Sequence, residues 1–66
     1  MKTIKVLNKT YYRTSLNGIF FACFGSFWQY VQRNEDGAFA PIYKHYVSKD
    51  ELLSDMNVIE NIYIAS

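Results

Sequence analysis

GIFFACFGSFWQYV, residues 18–31, decides the architecture. Gly18 to Trp28 carries no charge, and Phe20, Phe21, Phe24, Phe27 and Trp28 fall within nine residues. A transmembrane helix needs about 20 mainly apolar residues, and Gly25-Ser26 interrupts this run well short of that. A soluble helix would align Phe20, Phe24, Phe27 and Val31 on one side. Gly18, Gly25 and Ser26 oppose it, because a glycine inside a helix costs about 1 kcal/mol against alanine. Crowded aromatics favour strands instead. The stretch therefore reads as two strands, with Gly25-Ser26 as a bulge or sharp bend between them.

The flanks extend this reading. Thr10 to Leu16 is a strand-like run separated from Ile19–Phe24 by Asn17-Gly18, the pair that most favours a two-residue type I′ hairpin turn. That turn would place Leu16 opposite Ile19, Thr14 opposite Phe21 and Tyr12 opposite Cys23. Tyr11, Arg13, Phe20, Ala22 and Phe24 would share the other face. Upstream, Thr3 to Leu7 alternates as a short edge strand. Downstream, Phe27 to Arg33 leads through the polar turn Asn34-Glu35-Asp36-Gly37 into a return strand, Ala38 to Val47. Pro41 puts the early part of that strand at an edge or a bulge. The expected register pairs Gln32 with Phe39, Tyr30 with Pro41 and Trp28 with Tyr43, which makes one face strongly aromatic.

Ser48-Lys49-Asp50-Glu51 begins a helix. Ser48 can cap it, Glu51 completes a capping box, and Val47 with Leu52 is spaced as a hydrophobic staple. Leu52, Leu53 and Met56 form the buried stripe, and Asn57 is a C-terminal stop. The β-branched tail, Val58 to Ile64, reads as a final strand; a longer helix through Ile59 and Tyr63 competes with it. The expected fold is α+β: residues 1–66 as one small domain, a curled antiparallel sheet of four to five strands in two hairpins, and one short helix on one face. An SH3-like small barrel is the alternative.

A chain of 66 residues buries only about 60% of the surface it exposes when unfolded. Cys23 is the only cysteine, so no internal disulfide helps. Cys23 and His45 are too few ligands for zinc, which usually takes four nitrogen or sulfur groups. The 18% of residues that are aromatic must supply the core. The reading carries no cofactor and no metal. A lone cysteine suits a reducing compartment. Lys2, Lys5, Lys9 and Arg13 precede an apolar stretch, but at the wrong spacing for a secretory signal. The expectation is a cytoplasmic protein. Its Phe, Tyr, Met, Ile, Asn and Lys usage follows AT-rich codons and fits a phage or mobile-element accessory protein.

Charge is unevenly placed. Residues 1–34 hold five cations and no acid, and residues 35–66 hold two cations and six acids. Such asymmetry can mark a nucleic-acid contact. Catalytic spacing is lacking. His45 in Tyr-Lys-His-Tyr is the one general-base candidate, and Cys23 would need to lie within its reach. The aromatic excess without catalytic groups points to a non-enzymatic binding protein acting through protein–protein contact, self-association included. Trp28, Tyr30, Tyr43, Tyr11, Arg13 and Arg33 are its candidate contact residues, because Trp, Tyr and Arg dominate interface hot spots. The alternative is a single-stranded nucleic-acid module, with sheet aromatics stacking bases beside the basic N-terminal half.

Overall fold

The computed structural model describes residues 2–64. Five strands, β1 (Thr3–Val6), β2 (Lys9–Arg13), β3 (Ile19–Cys23), β4 (Trp28–Arg33) and β5 (Phe39–Tyr46), precede two helices, α1 (Lys49–Ser54) and α2 (Met56–Ile64). The strands form an antiparallel meander in the order β1-β2-β3-β4-β5. β1 and β5 remain edges, so the sheet is open and the barrel alternative does not apply.

The turns set the registers. The two-residue type I′ geometry lies between β1 and β2, where Leu7 (φ 51°) and Asn8 (φ 65°) both take positive φ and Val6 pairs with Lys9. At Asn17-Gly18 only Gly18 (φ 84°) does so. The Ile19 N–H closes a turn onto the Leu16 carbonyl, and the Thr14 N–H already meets the Ile19 carbonyl. Tyr12 therefore pairs with Phe21 and Arg13 with Phe20, two residues from the expected register. Thr14 secures the longer loop, its Oγ1 donating to the Ile19 carbonyl at 2.7 Å. At Gly25-Ser26 the chain reverses completely. The Phe24 N–H donates to the Phe27 carbonyl at 2.8 Å, and β3 pairs with β4 from Cys23–Trp28 to Ile19–Gln32.

The β4–β5 hairpin corrects a second expectation. Asn34 accepts from the Gly37 N–H and donates to the Ala38 carbonyl, with Gly37 at φ 88°. This is a three-residue loop, a turn followed by a left-handed glycine. Phe39 consequently pairs with Arg33, Pro41 with Val31 and Ile42 with Tyr30. The register is one residue from that expected. A bulge then inserts Tyr43 and Lys44, so that His45 faces Gln29 and Tyr46 faces Trp28.

The tail is helical, not a strand. Leu52, Met56, Ile59 and Tyr63 align at helical spacing, and Leu52 and Ile59 are fully buried against the sheet. Each such burial contributes about 1.5–3 kcal/mol, more than the few tenths by which β-branched residues disfavour helix. Ser48 caps α1 as expected, its Oγ accepting from the Glu51 N–H at 3.2 Å. Val47 is 78% exposed and does not staple onto the buried Leu52. The break falls at Asp55 rather than Asn57. Asp55 accepts the Tyr46 hydroxyl at 2.9 Å, and its carbonyl receives the Val58 and Ile59 N–H groups that open α2.

Both helices lie on one face of the sheet, over a core of Ile19, Phe21, Tyr30, Tyr46, Leu52 and Ile59. Tyr30 is fully buried and donates its hydroxyl to the Leu52 carbonyl at 2.5 Å, which ties the sheet to α1. Burial first, then the charges of Asp55 and Glu60, push the Tyr30 hydroxyl up to about 12. Burial and its hydrogen bond to Asp55 push Tyr46 upward as well.

Candidate functional site

Alternation along the strands sends a second apolar set to the other face. Tyr11, Phe20, Ala22 and Val31 are buried there, with Ile4, Val6, Phe24 and Phe39 around them. Neither helix covers this face. Ala22 and Val31 are its smallest buried members. Above Ala22 and Val31 the rings of Tyr11 on β2 and Phe39 on β5 stack at 3.9 Å and 7°. The edge of Phe20 meets Phe39 at 5.5 Å.

A second stack stands at the Gly25-Ser26 end. Phe24 and Phe27 flank that turn and lie 5.7 Å apart at 18°, and His45 stacks on Phe27 at 3.9 Å and 11°. Between the two stacks runs a groove of about 260 Å³, bounded by Tyr11, Phe24, Phe27, Phe39, Pro41 and His45 over Gln29 and Val31. Gln29 is 4% exposed. Its Nε2 donates to the carbonyls of Ile42 at 3.1 Å and Lys44 at 3.4 Å, on either side of Tyr43. The buried amide thus supports the bulge that brings His45 to the groove.

Cations frame this face. Lys9 Nζ sits 4.2 Å from the Phe24 centroid and donates to the Cys23 carbonyl at 2.6 Å. The Arg33 guanidinium lies 5.1 Å from the Phe39 ring and donates to the Gly37 carbonyl. Arg13 reaches over Phe20 at 5.7 Å. Exposed contacts of this kind contribute about 0.5–1 kcal/mol each. No carboxylate borders the groove.

The six residues singled out from sequence divide between the two faces. Tyr11, Arg13 and Arg33 belong to the open face, Tyr11 as a buried member at 8% exposure. Tyr30 lies inside the helix-covered core and has no surface to offer. Trp28 is half-buried on that same side, beside Tyr12 and Phe21. Tyr43 is 47% exposed at the bulge, in the left-handed region at φ 64°. The joint aromatic surface of Trp28, Tyr30 and Tyr43 does not form, because Tyr30 is buried beneath the helices and the bulge displaces Tyr43, leaving Tyr46 opposite Trp28. Phe24, Phe27, Gln29, Val31, Phe39, Pro41 and His45 are the groove residues missing from that set. Reading Gly25-Ser26 as a hairpin turn, with glycine first, would have brought Phe24 and Phe27 together.

Cys23 donates its thiol to the Gly25 carbonyl at 3.6 Å, and His45 spends its ring face on Phe27. Among the described residues no group of three or more His, Cys, Asp or Glu side chains converges as a metal site requires. No described helix is long and apolar enough to cross a membrane. Compared with protein-family models, curated proteins and solved structures, the chain matches none of them.

Proposed function

We propose that this is a non-enzymatic binding protein that takes an apolar side chain of a protein partner into the groove of its open sheet face. The observation that carries this reading is an apolar groove on a sheet face with no second layer over it. An apolar surface left uncovered in so small a protein is where a partner docks. At about 260 Å³ the groove is smaller than the roughly 300–1,000 Å³ of whole small-molecule sites. It suits one inserted side chain. The lone Cys23, half-buried and unpaired, fits a reducing compartment such as the cytoplasm.

The test is affinity capture with wild-type protein and two variants. Phe27→Ala opens the groove wall, and Val58→Ala alters the opposite, helical side. A partner held by wild type and Val58→Ala but released by Phe27→Ala supports the groove. A partner held equally by all three, with Phe27→Ala folded by circular dichroism, overturns it.

Single-stranded nucleic acid is the second reading, favoured by Lys9, Arg13 and Arg33 sharing the uncovered face. Base stacking needs free ring faces. Here Phe24 already carries Lys9, Phe27 carries His45, and Phe39 carries Tyr11. Retention on single-stranded DNA at low salt, falling steeply as salt rises, would favour this reading over the first.

A further inference from the structure

Resting on the groove as a protein-docking site, the charge around it narrows the partner. The eight residues that form the groove include no acid. Lys9 stands at its Phe24 end and Arg33 at its Phe39 end, with Arg13 further along the same face. None of the chain's six Asp and Glu side chains lines the groove, although the β4–β5 turn lies beside Arg33, which donates to its Gly37 carbonyl. Glu35 and Asp36 are in the β4–β5 turn, and Asp50, Glu51, Asp55 and Glu60 are on or between the helices. Lys9, Arg13 and Arg33 thus gather on the open face, while four of the six acids lie on or between the helices, with Lys44 and Lys49 beside them.

We infer that the groove receives a short acidic segment of a partner protein carrying one apolar anchor residue. The anchor fills the space over Val31 and Gln29, and carboxylates on either side meet Lys9 and Arg33. A basic segment would meet like charge at both ends. Two copies docking open face to open face would oppose Lys9, Arg13 and Arg33 with their own counterparts. Phosphates would satisfy the cations, but bases would find the ring faces occupied. Carboxylates beside a seated side chain use both features together. Because Arg33 is exposed and Lys9 half-buried, the attraction acts within about 10 Å at 0.1 M salt and weakens as salt rises.

The experiment is an amide NMR titration of the full chain with blocked heptapeptides. One carries phenylalanine between glutamates, one phenylalanine between lysines, and one alanine between glutamates. Oligothymidylate is the fourth ligand, and a protein dilution series is run alongside. The expected result is that only the glutamate–phenylalanine peptide shifts the amides of Gln29, Val31, Phe39 and His45, less so at high salt. Replacing both cations, Lys9→Gln with Arg33→Gln, should weaken that binding roughly three- to tenfold, the size set by two solvent-screened ion pairs. Unchanged shifts at Leu52 and Ile59 would show that this variant is folded. Equal shifts from the lysine peptide would overturn the acidic partner and leave the groove standing. Silence of the groove towards every peptide would overturn both. Stronger shifts with oligothymidylate would assign the face to nucleic acid. Concentration-dependent shifts of the groove and α2 together, without peptide, would assign it to a second copy docking through its acidic helices.

Discussion

Tyr11 and Phe39 stack ring on ring at 3.9 Å although β3 and β4 lie between their strands. Side chains three strands apart meet only because the sheet curls, over a cluster that includes Ala22 and Val31. The pair closes the second core without a second layer. Its coupling can be isolated by a double-mutant cycle of Tyr11→Leu and Phe39→Leu. Each change should destabilise, and the interaction energy should be about 0.5–1.5 kcal/mol beyond burial, read from urea unfolding. Strict additivity would show that the stack contributes nothing of its own.

The β1–β2 turn holds a leucine where an L residue with a branched side chain is disfavoured. Leu7 has φ 51° and is 96% exposed, so its side chain returns little packing for the strain. Left-handed backbone costs a residue of this kind about 1–2 kcal/mol, and asparagine tolerates it. Leu7→Asn should therefore raise stability by about 1 kcal/mol, seen as a higher thermal midpoint. A lower midpoint would mean that Leu7 makes contacts worth more than its strain.

Gln29 and Tyr43 divide the bulge between them. Gln29→Leu keeps most of the volume but removes the donor to the Ile42 and Lys44 carbonyls. Leaving such groups unpaired costs about 1–3 kcal/mol, with faster amide exchange from Ile42 to His45. Tyr43→Asn should do the reverse, gaining about 0.5–1 kcal/mol by relieving the left-handed tyrosine, less the loss of its tilted contact with Tyr46 at 6.5 Å.

Stability should fall in alkali. The Tyr30 hydroxyl is pushed from 10 to about 12 in the folded protein. The folded state therefore keeps a proton that the unfolded chain releases, and its stabilisation is complete below pH 10 and lost as pH rises toward 12. Tyr46 shifts in the same direction and adds to the slope. Tyr30→Phe should cost about 0.5–1.5 kcal/mol at neutral pH through the lost bond to Leu52. It should also flatten the decline between pH 10 and 12 measured by urea unfolding. An undiminished slope would leave Tyr46 as its source.

The legibility of the fold turned on parity. At Asn17-Gly18 the expected register was two residues off, and a shift of two leaves every side chain on its face. Tyr11, Arg13, Phe20 and Ala22 were therefore grouped correctly despite the wrong turn. At the β4–β5 loop the error was a single residue, and it moved Phe39 and Pro41 to the wrong side. That slip, together with the unread hairpin at Gly25-Ser26, hid the groove. The three-residue loop was written in Glu35-Asp36-Gly37, but a left-handed glycine there is compatible with several loop lengths. Helix α2 was ambiguous for another reason. Val58, Ile59 and Ile62 prefer strands locally, and only the fit of Ile59 and Tyr63 to the face begun by Leu52 favoured the helix. A curled sheet was expected, but the contact it makes between Tyr11 and Phe39 joins residues far apart in sequence, which no local pattern encodes.

The bulge on β5 has a consequence at the rim of the sheet. An open antiparallel sheet offers two rows of unpaired backbone groups, and flat apolar edges recruit further strands. On β5, Pro41 has no N–H to give, and two residues later Tyr43 and Lys44 bend the strand out of line. On the other side β1 is only four residues long and carries the exposed Lys5. Both margins disfavour pairing with a second chain. A protein that is half hydrophobic by composition can thus leave an apolar groove uncovered while its edges refuse to grow into a fibre.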